Sequence, residues 1–386
     1  MRILYFTIDN INDNVILAQT FPMLGRLAGL PDVEGIDLFA LQKSGGEEYR
    51  SLVPAAVRAR VGRNCGIWHP LTWLHLVRLS VAAWACAEPG AVLVGRNPVS
   101  LWCLSLAALR RRTRLILDYR GILSEEYVLQ GKIARKGRLH GLLRRLEGWA
   151  LGRADGILCV SERLRRRCRG WRPHVAKKVV VVPCCYDPHL ARWDDTTVER
   201  LRIELGLDST RDFVLVYAGS LSAWNRPDLI LAAYHAVRAA HAGTKLLLLT
   251  GSATEARAIF GREAGVIVRS VAHADIQHYL ALADLGLLLR DRSPVNRVAS
   301  PVKFAEYLAC GVPVLISPGV GDCPGIVERE SVGYVLQYDL PLGRVVFEIR
   351  TQRGMFRTRC LDVAARYFDG DRYLASYKVL VTGPGG

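Results

Sequence analysis

Short, almost wholly apolar runs recur along this chain with helical stretches between them, and that alternation constrains the fold before any single residue is considered. In the first half residues 2–8, 92–94, 114–117, 156–160 and 179–182 read as strands. Residues 19–28, 72–87, 99–110 and 136–151 read as helices between them. In the second half strands at 213–217, 245–250, 266–269, 285–289 and 314–316 alternate with helices at 227–240, 276–282 and 301–310. A strand covered on both faces loses its in–out alternation and becomes one continuous apolar run, as parallel sheets require. Alternation with helices therefore predicts a doubly wound α/β protein. The length of 386 residues allows two such domains, each with its own core. The first is expected over 1–183 and the second over 196–360, joined by a linker at 184–195. The stretch 361–377 reads as helical.

Half of the residues are hydrophobic, which argues against a disordered chain. No apolar run reaches the roughly 18 residues of a spanning helix. The N-terminus enters a strand at once, so a cytoplasmic protein without a secretory leader is expected. Ten cysteines are scattered without paired C-x-x-C motifs at zinc spacing; they read as reduced packing residues, and no metal site is expected. Charge is distributed unevenly. Residues 1–182 hold 29 Lys and Arg against 14 Asp and Glu, a net +15, while the rest of the chain supplies +1 of the total +16. The excess gathers at 110–114, 132–145 and 163–172. A one-sided basic surface of this size suits anionic lipid or nucleic acid better than solubility alone.

The chemistry concentrates in residues 283–315, ADLGLLLRDRSPVNRVASPVKFAEYLACGVPVL. A buried strand ends near Arg290, at the sheet edge where open α/β folds bind ligands. Ser300 is a good N-cap and Pro301 fits the first helical position. Gly311 stops the helix and Pro313 prevents its restart. Lys303 and Glu306, three apart, share a face near the helix start. Arg290, Lys303 and a helix N-terminus make a diphosphate clamp, and a carboxylate one turn on suits two ribose hydroxyls. The alternative is a surface ion pair between Lys303 and Glu306.

This segment resembles the donor-binding region of family 4-type glycosyltransferases of the GT-B fold, and more narrowly the subgroup of bacterial surface-polysaccharide assembly. The resemblance implies two Rossmann-like domains facing a central cleft, with residues 361–386 returning to pack on the N-terminal domain. It implies retaining transfer of a sugar from a nucleotide-diphosphate sugar, such as a UDP- or GDP-sugar, with no metal and no cofactor. Glu306 would hold the ribose, and Arg290 with Lys303 the diphosphate. The family's signature carries a second glutamate eight residues earlier, where this chain has Val298. Asn296 or backbone amides near Ser300 would have to substitute. The strand at 213–217 runs into AGSLSAWN, in which Gly219 would let backbone amides approach the distal phosphate; an ordinary turn is the alternative. Many relatives have an arginine at Ser220 and a lysine at Asn225, so their loss shifts phosphate binding onto Arg290 and Lys303. By the same resemblance the base would stack near Val271 and Ala272. His273 beside them reads as a loop or helix-start residue.

In the first half, Leu115 to Gly121 ends a strand with Asp118-Tyr119-Arg120-Gly121, similar to the family's D-x-R-G signature. Arg120 would stabilise the departing diphosphate or orient an acceptor, with Asp118 holding it or touching the acceptor. An Asp–Arg pair that merely fixes a loop is the equal alternative. Glu125 and Glu126, Arg96 and Asn97, and Asn14 in the loop after Asp9-Asn10 are further acceptor-side candidates. That first loop lacks G-x-G-x-x-G, which argues against a dinucleotide dehydrogenase. Trp68, Trp73, Trp84 and Trp149 lie among basic residues, as in an interfacial surface that would meet an anionic inner leaflet and a polyprenyl-diphosphate-linked glycan. The expected protein is a peripheral membrane glycosyltransferase of capsule, O-antigen or exopolysaccharide synthesis. A nucleotide-sugar epimerase and a catalytically silent GT-B subunit are the alternatives. A nucleic-acid partner is not expected, because no helix-turn-helix, zinc or aromatic stacking signature is present.

Overall fold

The computed structural model describes residues 1–13, 15–43, 48–66, 68–110, 112–188, 192–221 and 225–382. The chain divides into two compact units: residues 1–183 with those from Gly370 onward, and residues 184–369.

The first unit holds a seven-stranded sheet of order β3-β2-β1-β4-β5-β6-β7, every pair parallel. Its strands are β1 (Arg2–Asn10), β2 (Gly35–Gln42), β3 (Val57–Arg63), β4 (Val92–Gly95), β5 (Arg114–Tyr119), β6 (Gly156–Cys159) and β7 (Val179–Val181). The helices between them are α1 (Phe21–Ala28), α2 (Pro70–Cys86), α3 (Pro98–Cys103), α4 (Leu123–Leu129), α5 (Arg138–Arg153) and α6 (Glu162–Trp171). Strands β2 and β3 have no counterpart in the sequence reading. In β3 arginines alternate with valine, alanine and glycine, which suits an edge strand whose charges keep it from pairing further. The helix expected over 99–110 is broken: α3 stops at Cys103, and a separate short helical turn occupies Ala107–Leu109.

The second unit holds a six-stranded sheet of order β10-β9-β8-β11-β12-β13, again parallel throughout. Its strands are β8 (Phe213–Ala218), β9 (Thr244–Leu249), β10 (Val266–Arg269), β11 (Leu285–Leu288), β12 (Val314–Ile316) and β13 (Gly333–Val335). The helices are α7 (Asp195–Glu204), α8 (Pro227–Ala240), α9 (Ala253–Phe260), α10 (Ile276–Leu280), α11 (Val302–Ala309), α12 (Cys323–Glu330), α13 (Leu342–Thr351) and α14 (Arg353–Phe368). Helix α14 packs on α11, with the Phe368 ring edge-on to Phe304 at 5.5 Å. The chain then breaks at Asp369. Helix α15 (Leu374–Thr382) belongs to the first unit, against β5, β6 and α1. The stretch 361–386, read as one segment, is thus divided between the two units.

In each sheet the first strand lies between neighbours reached in opposite directions, so the strand order reverses between β1 and β4 and again between β8 and β11. The carboxyl ends at such a reversal are where α/β sheets leave room for a ligand. The second reversal is tightly built. A Cβ added to Gly286 of β11 would lie 2.6 Å from the ring of Tyr307. Tyr307 is fully buried, and its hydroxyl accepts from the Ala218 amide at 2.9 Å. Gly286→Ala is expected to destabilise this unit by about 1–3 kcal/mol through overpacking. The urea midpoint checks this, and an unchanged midpoint would show that the ring shifts freely.

Candidate functional site

In the second unit the end of β8, the end of β11 and the first turn of α11 converge. Gly219 follows β8 with φ +131°, a conformation that disfavours side chains, and its amide donates to Leu249 O at 2.8 Å. A Cβ at Gly219 would stand 2.8 Å from Lys303 Nζ. The glycine thus lets the lysine reach the loop. Lys303 Nζ lies 4.3 Å from the centroid of the Tyr217 ring, a cation–π contact. The Tyr217 hydroxyl donates to Ser220 O, as does the Asn225 amide at 2.9 Å, so Asn225 holds the loop from its far side. Ser222, Ala223 and Trp224 of the expected phosphate loop lie outside the described residues.

Helix α11 starts one residue later than the sequence implies. Pro301, not Ser300, occupies the N-cap with extended backbone and no side-chain cap. The Ser300 hydroxyl instead accepts from the Cys184 amide at 3.0 Å. It is committed to the chain entering this unit, and a proline without N–H loses nothing at the helix start. At the other end Gly311 has φ +73°, its amide donates to Leu308 O, and Val312 N–H donates to Tyr307 O. These two bonds are a Schellman closure, and they fix the register of Lys303 and Glu306.

Arg290 lies two residues past β11. Its amide donates to Ser317 Oγ at 3.0 Å and Nη1 to Asn296 Oδ1 at 3.3 Å, while Nε is buried without a partner. Asn296 is fully buried and donates in turn to Asp291 O at 3.2 Å. Its side chain is spent on holding Arg290, so it does not replace the carboxylate missing at Val298, which is itself buried. Among the described residues neither Arg290 nor Lys303 bonds a carboxylate. Burial holds the Lys303 amine well below its ordinary range, and the nearby Arg290 charge lowers it further against the pull of Glu306. Burial also lowers Arg290. The Glu306 carboxyl is pushed up to about 7 by burial, with Lys303 opposing. His273 Nε2 lies 3.9 Å from it, an imidazole that burial biases toward neutral. No Lys303–Glu306 ion pair forms. Val271 and Ala272 follow β10, two strands from β8; Val271 is half-buried against the core and Ala272 is exposed. Tyr217, Tyr307 and Ser317 escaped the sequence reading, since nothing in a strand pattern separates a structural tyrosine from one beneath a lysine.

In the first unit a second cluster forms at the carboxyl ends of β1, β4 and β5. Asp118 is fully buried. It accepts from the Tyr5 hydroxyl at 2.6 Å and from Arg120 Nε at 2.9 and 3.1 Å. Arg120 also donates to Gln19 Oε1 at 3.3 Å. The pairing of Asp118 with Arg120 is therefore the geometry present. Arg96 is buried, pairs with Asp9 through Nε at 2.8 Å, and donates to Thr20 Oγ1 at 2.9 Å and Gln19 Oε1 at 3.5 Å. Asn97 caps α3, accepting from the Ser100 amide at 2.9 Å. Glu125 turns away to Arg135 at 2.9 Å and His140 at 3.5 Å. Glu126 packs so closely on Gly121 that a Cβ there would meet Oε1 at 2.0 Å. Its side chain makes no hydrogen bond or ion pair among the described residues. Burial and the Asp9 charge push its carboxyl up to about 7. Asn14 lies outside the described residues. Tyr5, Gln19 and Thr20 were not found in the sequence; only the fold brings them to Arg96 and Asp118.

Comparison with known proteins agrees with this division. Residues 35–190 match the family described as Glycosyltransferase Family 4, and residues 212–341 match Glycosyl transferases group 1. No curated protein matches the sequence. Among solved structures, HepE of Anabaena in complex with UDP and glucose superposes with TM-score 0.71 at 16% identity, covering 100% of both chains. WaaG, a glycosyltransferase involved in lipopolysaccharide biosynthesis, gives 0.71 at 13% identity and 100% of both chains. Sucrose-phosphate synthase from Thermosynechococcus elongatus gives 0.72 at 15% identity and 98% of both chains. The two parallel-sheet units are those of the GT-B fold, and each half of the chain matches a glycosyltransferase family model.

Proposed function

We propose that this two-domain glycosyltransferase takes a sugar from a nucleotide-diphosphate donor held in its second unit and passes it, with retained anomeric configuration and without a metal, to a lipid-linked glycan. One observation carries the donor reading: two cations, Arg290 and Lys303, gather beside the Gly219 loop with no carboxylate bonded to either. Such a pair is costly to bury alone and is neutralised by a ligand carrying two negative charges. Glu306, one turn along α11, is left to accept ribose hydroxyls. The UDP seen with HepE supports a uridine donor as the first candidate.

Retaining transfer on the donor's front face asks little of protein side chains. The leaving diphosphate takes the acceptor proton as the new glycosidic bond forms, and the cations stabilise the charge that develops on it. Arg120, held by Asp118, and Glu126 on Gly121 are the acceptor-side groups. The strongly basic first half suits an acceptor on a polyprenyl diphosphate at the inner face of a bacterial membrane, in capsule, O-antigen or exopolysaccharide synthesis. That WaaG acts in lipopolysaccharide biosynthesis supports the same direction. Among the described residues no helix is long and apolar enough to cross a membrane.

The test is thermal unfolding with UDP, GDP, ADP and CMP and their common sugar conjugates. One nucleoside diphosphate and its sugar conjugate are expected to raise the midpoint, and the others to leave it unchanged. Silence across the whole panel would overturn the donor site.

A further inference from the structure

Helix α2 is apolar on two opposite sides, and the first unit covers only one of them. Thr72, Leu76, Leu79 and Ala83 form the buried stripe. Leu74, Val77, Val81 and Trp84, spaced by three and four residues on the other side, are exposed, Leu74 and Val77 each at 55%. Trp68, just before the helix, is also 55% exposed. The surface continues beyond α2. The turn Ala107–Leu109 and α3 both touch α2, and there Trp102, Leu106 and Leu109 are exposed, Leu109 at 76%. Helix α5 touches α3 and adds exposed Leu142. Arginines border this apolar row. The Arg110 guanidinium lies 4.4 Å over the Trp84 ring, and Arg144 of α5 lies 5.1 Å over Trp171 of α6. Acids are almost missing: residues 49–117 contain ten arginines and one acid, Glu88, which pairs with Arg2 at 2.9 Å.

We infer that this helical layer docks on an anionic lipid bilayer, with the α2 stripe and its tryptophans entering the interface and the arginines meeting lipid phosphates. The inference deepens the proposed function by naming the surface that would bring the protein to a lipid-borne acceptor, and it rests on that reading for its purpose. The charge of the face favours this occupant over a second copy of the chain. Two such faces would bring rows of arginine together, whereas a bilayer supplies both the apolar depth and the negative charge. Tryptophan with a guanidinium stacked on its ring suits headgroup depth, where one end is dry and the other wet.

The experiment uses the whole protein and vesicles of phosphatidylglycerol and phosphatidylethanolamine in equal parts. Wild type is expected to float with them, to show blue-shifted tryptophan emission, and to be quenched by lipids brominated in the acyl chains. The double variant Val77→Glu with Val81→Glu should lose partition about tenfold or more. Arg110→Glu, which leaves the stripe intact, should weaken binding in the same direction. Unchanged binding in both variants overturns the proposal, as does salt-released binding without quenching. Lipid-free self-association that the double variant abolishes, with no vesicle binding in wild type, assigns the face to a second copy and also overturns it. Thermal stabilisation by nucleotide on the same preparations separates the two ideas. Nucleotide binding without vesicle binding removes this face alone, and the reverse removes the donor site alone.

Discussion

Lys303→Met is expected to weaken binding of the stabilising nucleoside diphosphate by about 1.5–3 kcal/mol, the scale of hydrogen bonds to charged groups, without destabilising the fold. The two halves of this expectation have one cause. The Lys303 amine is held in a site that disfavours its charge, next to Arg290 and without a bonded carboxylate. At neutral pH, below the amine's ordinary 10.5, the folded protein pays for that charge and the unfolded chain does not. Methionine fills similar space over the Tyr217 ring and carries no charge, so the unliganded variant should melt at the wild-type temperature or above it. A residue kept only for packing would lose stability and leave binding alone. Calorimetric titration together with thermal unfolding reads both quantities. Wild-type affinity in the variant would remove the lysine from the clamp. Arg290→Ala is the less direct test, because it also strands the buried Asn296 carbonyl oxygen.

Asp118→Ala should destabilise the first unit by about 3–5 kcal/mol, the usual cost of deleting one partner of a buried ion pair. Asp118 is fully buried, and two groups depend on it: the Tyr5 hydroxyl at 2.6 Å and Arg120 Nε at 2.9 Å. Without the carboxylate, a buried phenol loses its acceptor and a largely buried guanidinium loses its counter-charge. Burial and the Asp118 charge both push the Tyr5 phenol up, so Tyr5 stays a donor at any ordinary pH and cannot supply charge in its place. Asp118→Asn keeps an acceptor for one group and should lie between wild type and alanine. Urea unfolding followed by tryptophan fluorescence measures the series. Equal midpoints for all three proteins would show that Arg120 finds other partners. A large loss confined to Asp118→Ala would make Asp118 a residue that positions Arg120 rather than one that touches substrate.

Much of the proposed donor site was legible because its residues are close in sequence. Arg290, Lys303, Glu306 and Gly311 fall within 22 residues, and strand, helix and stop signals order them without long-range contacts. What the sequence could not reveal was competition for the same groups. Ser300 fits a helix cap, but Cys184, 116 residues away, uses its hydroxyl. Asn296 looks like a spare ligand, but it is buried under Arg290. In the first unit's cluster, Gln19 is shared by Arg96 and Arg120, residues on loops after different strands. No local pattern brings two arginines to one glutamine; the reversal of strand order beside β1 does. Strand β3 was missed because its arginines imitate a solvated loop.

The division of the chain at Asp369 has a consequence for synthesis. The second unit is one continuous segment, so it can complete its sheet as it leaves the ribosome. The first unit cannot. Its seven strands are translated early, but Tyr377, Leu380 and Val381 of α15 are buried against it, and Leu380 covers Gly156 of β6. Until α15 emerges, the apolar ground beneath it stays open to water and to other nascent chains. A stop codon just after α14 would spare the second unit and leave the first unit unfinished.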